Sequence, residues 1–217
     1  MKAAALFLAC AAVGTLYSPT ATAEAPVAVV EDVVGKAPGV EFMDYVEVGR
    51  VIKLGPRDSI VLGYMTSCRR ETITGGTVTV GREQSTVERG KVERAQVNCD
   101  AGRMQPTDRQ ARQGGATVLR SAVPPITLYS RSPLAEVSGP GTLVIEPADR
   151  TGERRTFVLT EANLVRGRFF DLAKGSKPLA PGVVYTASFE GKKIVFKIDE
   201  KAKDGATPVV GRLLRID

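Results

Sequence analysis

An all-β fold is what this chain of 217 residues predicts, and three observations carry that expectation. Apolar residues come in short runs dominated by Val, Ile and Thr, side chains that fit a pleated, half-buried surface. Gly, Pro, Asn and Asp punctuate those runs at close intervals. No apolar period of 3.6 residues persists, so long amphipathic helices are not expected. The chain is 43% hydrophobic, enough for a core, but it has no Trp and only 6% aromatics. Its packing must therefore lean on Val, Leu and Ile.

The first segment has the three parts of a secretory signal. Lys2 gives a positive start, residues 3–13 are apolar, and Ala21-Thr22-Ala23 fits the A-x-A cleavage pattern. Residues 1–23 are thus expected to be removed, leaving a periplasmic or secreted protein. The apolar run falls short of the roughly 20 residues that cross a bilayer. No later run is long enough either, so no transmembrane segment is expected after cleavage. Leu8-Ala9-Cys10 resembles the end of a lipoprotein box, but Phe7 stands where such a box usually has Leu. Cys10 is expected to leave with the signal.

Of three cysteines, Cys68 and Cys99 then remain. An even pair in an oxidising compartment predicts a disulfide. Its closed loop of about 30 residues is worth roughly 3.5–4 kcal/mol in the chain-entropy model. The alternative is a redox-active pair, which usually needs a close spacing such as C-x-x-C that is absent here.

In the first half, strands are expected over residues 27–34, 45–48, 51–54, 59–65, 71–74, 77–80, 85–88 and 94–98. Turns are expected at Gly49, Gly55-Pro56-Arg57-Asp58, Gly75-Gly76, Gly81 and Gly90. Residues 101–116 are polar, basic and nearly free of large apolar side chains, and read as a linker. Further strands follow over 117–122, 126–130, 134–137, 141–146, 155–159, 168–171, 183–189, 193–198 and 209–216, with a helical turn over 159–165. Short strands with turns every 8–12 residues suggest an immunoglobulin-like β-sandwich domain over 117–217. Its clearest hairpin joins two alternating arms across Glu190-Gly191.

The stretch Val46-Glu47-Val48-Gly49-Arg50-Val51-Ile52-Lys53-Leu54-Gly55, then Asp58-Ser59-Ile60-Val61-Leu62-Gly63-Tyr64, resembles the periplasmic FecR-like domain. The resemblance implies a FecR-like small β domain within residues 24–100. Complete members of that family relay a signal through a transmembrane helix, which this chain lacks. The family's usual turn is also replaced here by Thr66-Ser67-Cys68-Arg69-Arg70.

Histidine is absent, which removes the Ser-His-Asp and Cys-His arrangements and the usual zinc sites. No metal or other cofactor is expected. Asp199-Glu200-Lys201-Ala202-Lys203-Asp204-Gly205 lacks the alternating acids of a calcium loop, and no helix follows Gly139-Pro140-Gly141 to bind phosphate. A carboxylate-dependent enzyme acting on envelope polysaccharide is the alternative reading, with Glu146, Asp149, Glu153 and Asp171 as its available acids. The main reading is a non-catalytic binding or scaffolding protein of the cell envelope. The formal charge is +6, one unit less without Lys2. This suits an anionic envelope polymer or an envelope protein as partner, and export makes nucleic acid an unsuitable one. The candidate anion-binding residues are Arg69, Arg70, Arg82, Arg89, Lys91 and Arg94. If the short strands stack, several share one face; intermixed Glu71, Glu83, Glu88 and Glu93 make an ordinary solvated face the competing reading.

Overall fold

The structure is a computed structural model describing residues 25–101 and 125–216. The expected signal, Cys10, linker residues 102–116 and the expected strand over 117–122 lie outside the described residues.

The protein is all-β. In its first half, β1 (Ala28–Val34), β2 (Tyr45–Val46), β3 (Val51–Tyr64), β4 (Arg69–Thr79), β5 (Thr86–Glu88) and β6 (Lys91–Gln96) form one antiparallel sheet. The order is β2-β1-β3-β4-β5, and β6 pairs with the other end of β4. Alternation explains the core. Ile60, Leu62 and Ile73 point inward with Ala28, Val30, Ile52 and Val78, all at most 1% exposed.

Two expected turns are bends inside continuous strands. Gly55-Pro56-Arg57-Asp58 lies within β3, where the register against β4 shifts between Leu54 and Ser59. Four residues there oppose Gly75 alone, so the surplus bulges outward, and Asp58 Oδ2 accepts the Gly55 N–H at 3.1 Å. Gly75-Gly76 lies within β4, and the facing chain bends between β5 and β6. A Cβ on Gly76 would lie 2.3 Å from the Glu88 carbonyl oxygen, and one on Gly90 would lie 2.1 Å from that of Gly75. Glycine lets these backbones touch, so neighbouring strands bend together.

The second half contains two sheets. β7 (Ile126–Ser130), β9 (Gly141–Pro147), β10 (Arg155–Leu159), β12 (Val184–Phe189) and β13 (Lys192–Lys203) form a sheet of order β10-β9-β12-β13-β7. β8 (Leu134–Glu136), β11 (Phe169–Asp171) and β14 (Leu213–Arg215) form another, of order β11-β8-β14. The pairs β7–β13 and β8–β14 are parallel. The β12–β13 turn holds Glu190 and Gly191 at φ 45° and 82°, the two positive values that a two-residue hairpin needs. Residues 209–216 are not one strand: Val209–Gly211 make a 3-10 turn before β14. Over 159–165 there is a single turn, in which Leu164 N–H donates to the Thr160 carbonyl at 3.2 Å.

One core fills the space between the two sheets, with Leu143, Ile145, Phe189 and Phe196 from the larger and Ala135 and Leu214 from the smaller. A further cluster joins the halves. Val29, Met43 and Met65 of the first pack with Leu134, Phe169, Val209, Val210 and Leu213 of the second. Each such side chain, fully buried, contributes about 1.5–3 kcal/mol.

Candidate functional site

The disulfide organises the region where the cations were expected. Cys68 and Cys99 are bonded, with Cα atoms 5.5 Å apart. Cys68 stands at φ 52° between β3 and β4, and Val97 N–H donates to its carbonyl at 2.9 Å. The bridge therefore staples that turn to the chain leaving β6. Cys99 packs against the cluster joining the halves. Beyond it, Asp100 Oδ2 accepts the Thr127 N–H at 2.9 Å, tying the bridged segment to the start of β7.

The register of β4 and β6 distributes the six cations. Opposed residues of an antiparallel pair share a face, and successive residues alternate. Arg94 opposes Glu71, whereas Lys91 opposes Thr74 and Arg70 opposes Ala95. Arg69 and Arg94 thus lie on one face of the sheet, and Arg70 and Lys91 on the other. Arg82 stands in the loop before β5, and Arg89 at the β5–β6 bend with φ 55°.

Two of the six neutralise buried carboxylates. Arg94 Nε lies 2.6 Å from Glu71 Oε1, and Arg94 Nη2 donates to the Ser85 carbonyl at 2.8 Å. Glu71 Oε2 accepts the Ser85 N–H at 3.0 Å, and the Ser85 and Tyr64 hydroxyls are 2.7 Å apart. Burial pushes the Tyr64 phenol up to about 12. Arg70 Nε donates to Glu31 Oε2 at 2.8 Å, while Glu31 Oε1 accepts the Val210 N–H at 3.1 Å. The Glu31 side chain is completely buried, so this arginine supports the contact between halves. Arg69 bonds the Gln84 amide oxygen. Lys91 pairs with Glu93 at 2.7 Å on the surface. That hydrogen bond raises the Lys91 pKa and lowers that of Glu93.

A second ionic group, unmarked in the sequence, lies along the seam between the halves. Tyr45 O–H donates to Glu136 Oε2 at 2.6 Å, and Arg215 Nε lies 3.0 Å from the same oxygen. Burial pushes the Tyr45 phenol upward, with Arg215 opposing the shift. The Arg168 guanidinium stacks 4.9 Å above Phe169 and 5.2 Å above Tyr45. Arg166 reaches Glu41 and lies 2.6 Å from Asp44. These last three line an open groove of about 600 Å³ with Lys36 and Gly39. An adjoining hollow of about 440 Å³ is bordered by Asp44, Tyr45, Glu47 and Arg50. Both are mixed in charge. In sequence, only Glu31, interrupting an apolar run, and Glu71, in phase with Ile73, signalled buried acids. Tyr45, Arg168 and Arg215 gave no such signal.

The acids available to an enzyme are engaged separately. Asp171 is buried and gripped by both terminal nitrogens of Arg212, at 2.7 and 3.1 Å. Glu146 lies 3.9 Å from Arg154, and Glu153 lies 3.7 Å from Arg155. Asp149 Oδ1 accepts the Thr151 N–H at 3.0 Å, which holds its carboxyl below the usual range. Asp199 Oδ1 accepts the Lys201 N–H at 2.8 Å, and Asp204 pairs with Arg131. Among the described residues, no three His, Cys, Asp or Glu side chains are grouped to hold a metal ion, and no helix is long and apolar enough to cross a membrane.

Comparison with family models, with curated proteins and with solved structures found no match.

Proposed function

We propose that this protein is a non-catalytic binding or scaffolding component of the cell envelope, acting in the periplasm or outside the cell after loss of residues 1–23. The observation that carries this reading is how its charges are distributed. Glu31, Glu71, Glu136 and Asp171 are buried and each faces an arginine, an arrangement suited to holding a frame together. Arg82, Arg89 and Lys91 are exposed around β5 and β6. In this reading residues 24–100 are a FecR-like domain, residues 117–217 an immunoglobulin-like one, and the exposed cations meet carboxylates or phosphates of an envelope polymer or protein.

Co-sedimentation with isolated anionic envelope polymer tests the proposal. Retention at low ionic strength should fall as salt is added. Arg82→Glu with Arg89→Glu should weaken retention roughly tenfold, about 1.4 kcal/mol. Absence of retention at low salt, or equal retention by the double variant, would overturn the anionic-ligand reading.

A further inference from the structure

We propose that β6 is a self-association edge, pairing antiparallel with β6 of a second copy about Val92 and extending the first sheet across two molecules. Among the described residues β6 pairs only with β4, and five of its six residues are exposed. The Val97 N–H bond to the Cys68 carbonyl, at 2.9 Å, sets the phase of the ladder. Alternate residues Ala95, Glu93 and Lys91 then turn their backbone groups toward β4, while Val92, Arg94 and Gln96 turn theirs outward. β6 contains neither proline nor a register shift against β4, two features that commonly blunt an edge.

Charge selects both partner and register. Pairing about Glu93 opposes two glutamates, and pairing about Arg94 opposes two arginines. Pairing about Ala95 matches no charges. Pairing about Val92 sets each Lys91 against the other copy's Glu93 and keeps the side chains of both strands in phase on each face. Within one molecule Lys91 and Glu93 already pair on that face, 2.7 Å apart and both well exposed, so the same charges serve the joint. In this register residues 91–93 of each β6 oppose one another, while residues 94–96 face residues 88–90 of the other copy, so the interface is small and of the weak and reversible class. Such a dimer forms whether or not the exposed cations meet an anionic ligand.

Sedimentation velocity over a wide concentration range, using the full exported protein, tests it. The wild type should dimerise reversibly. Val92→Pro removes an outward N–H while leaving the bonds to β4, so it should abolish the dimer with an unchanged circular dichroism spectrum. Lys91→Glu and Glu93→Lys should each weaken association at least tenfold, and the two together should restore it, because the swapped charges still match. The charge variants decide the matter should Val92→Pro impair folding. A wild type monomeric at every concentration would overturn the proposal. So would a dimer that survives Val92→Pro, or single swaps without effect, or a double swap that fails to rescue.

Discussion

Arg94 and Arg89 carry the same charge and stand close together along the chain, yet their environments differ. Arg94 reaches the fully buried Glu71 at 2.6 Å, whereas Arg89 is exposed at a bend. Removing one partner of a buried pair leaves an uncompensated charge, at a cost of about 3–5 kcal/mol. The arginine is partly solvated, so the lower end applies. Arg94→Ala should therefore lower the unfolding free energy in urea by about 3 kcal/mol, and Arg89→Ala should change it by less than about 0.5 kcal/mol. The sequence grouped these residues by proximity along the chain. What separates them is register, which depends on the pairing of strands and cannot be read from composition. Glu71 was half legible, because its parity with Ile73 marks it as inward; that Arg94 stands opposite was not.

The strands themselves were largely legible, and their interruptions less so. Val, Ile and Thr in alternation located β1, β7, β10 and β12 closely. Gly55-Pro56-Arg57-Asp58 and Gly75-Gly76 read as turns because turns and bulges draw on the same residues. Only the facing strand decides between a chain that reverses and one that bends. At the bend, Gly76 has φ 81° and its missing side chain faces backbone atoms of Glu88, Arg89 and Gly90. Backbone cannot swing aside as a side chain can, so an added methyl forces the strands apart. Gly76→Ala should destabilise the protein by about 2–4 kcal/mol, combining positive-φ strain with overpacking. Gly49→Ala is the control in equilibrium unfolding: its φ of 80° is comparable, but nothing lies within 4 Å of where its methyl would stand. It should cost only the strain, about 1 kcal/mol.

At the scale of the whole molecule, the sequence placed a linker between two β regions, and a buried cluster spans the two sides of it. Val29, Met43 and Met65 meet Val209, Val210 and Leu213 across the seam, with Glu31, Tyr45, Arg166 and Glu136 as polar ties. Nothing in local periodicity reports such contacts, because each residue fits its own strand or turn equally well with or without the seam. The bridge was legible from cysteine parity once Cys10 was assigned to the signal, but its position was not: Cys99 packs on the seam itself. Through these contacts the two halves form one bonded frame. Hydrogen exchange monitored by mass spectrometry through a urea titration, comparing wild type with Cys99→Ser, tests that unity. The frame predicts that peptides from β1 and from β12 lose protection at one common midpoint. Cys99→Ser should lower both together, by about 2–4 kcal/mol. Separate midpoints in the wild type, or a variant in which only β1 loses protection early, would contradict it.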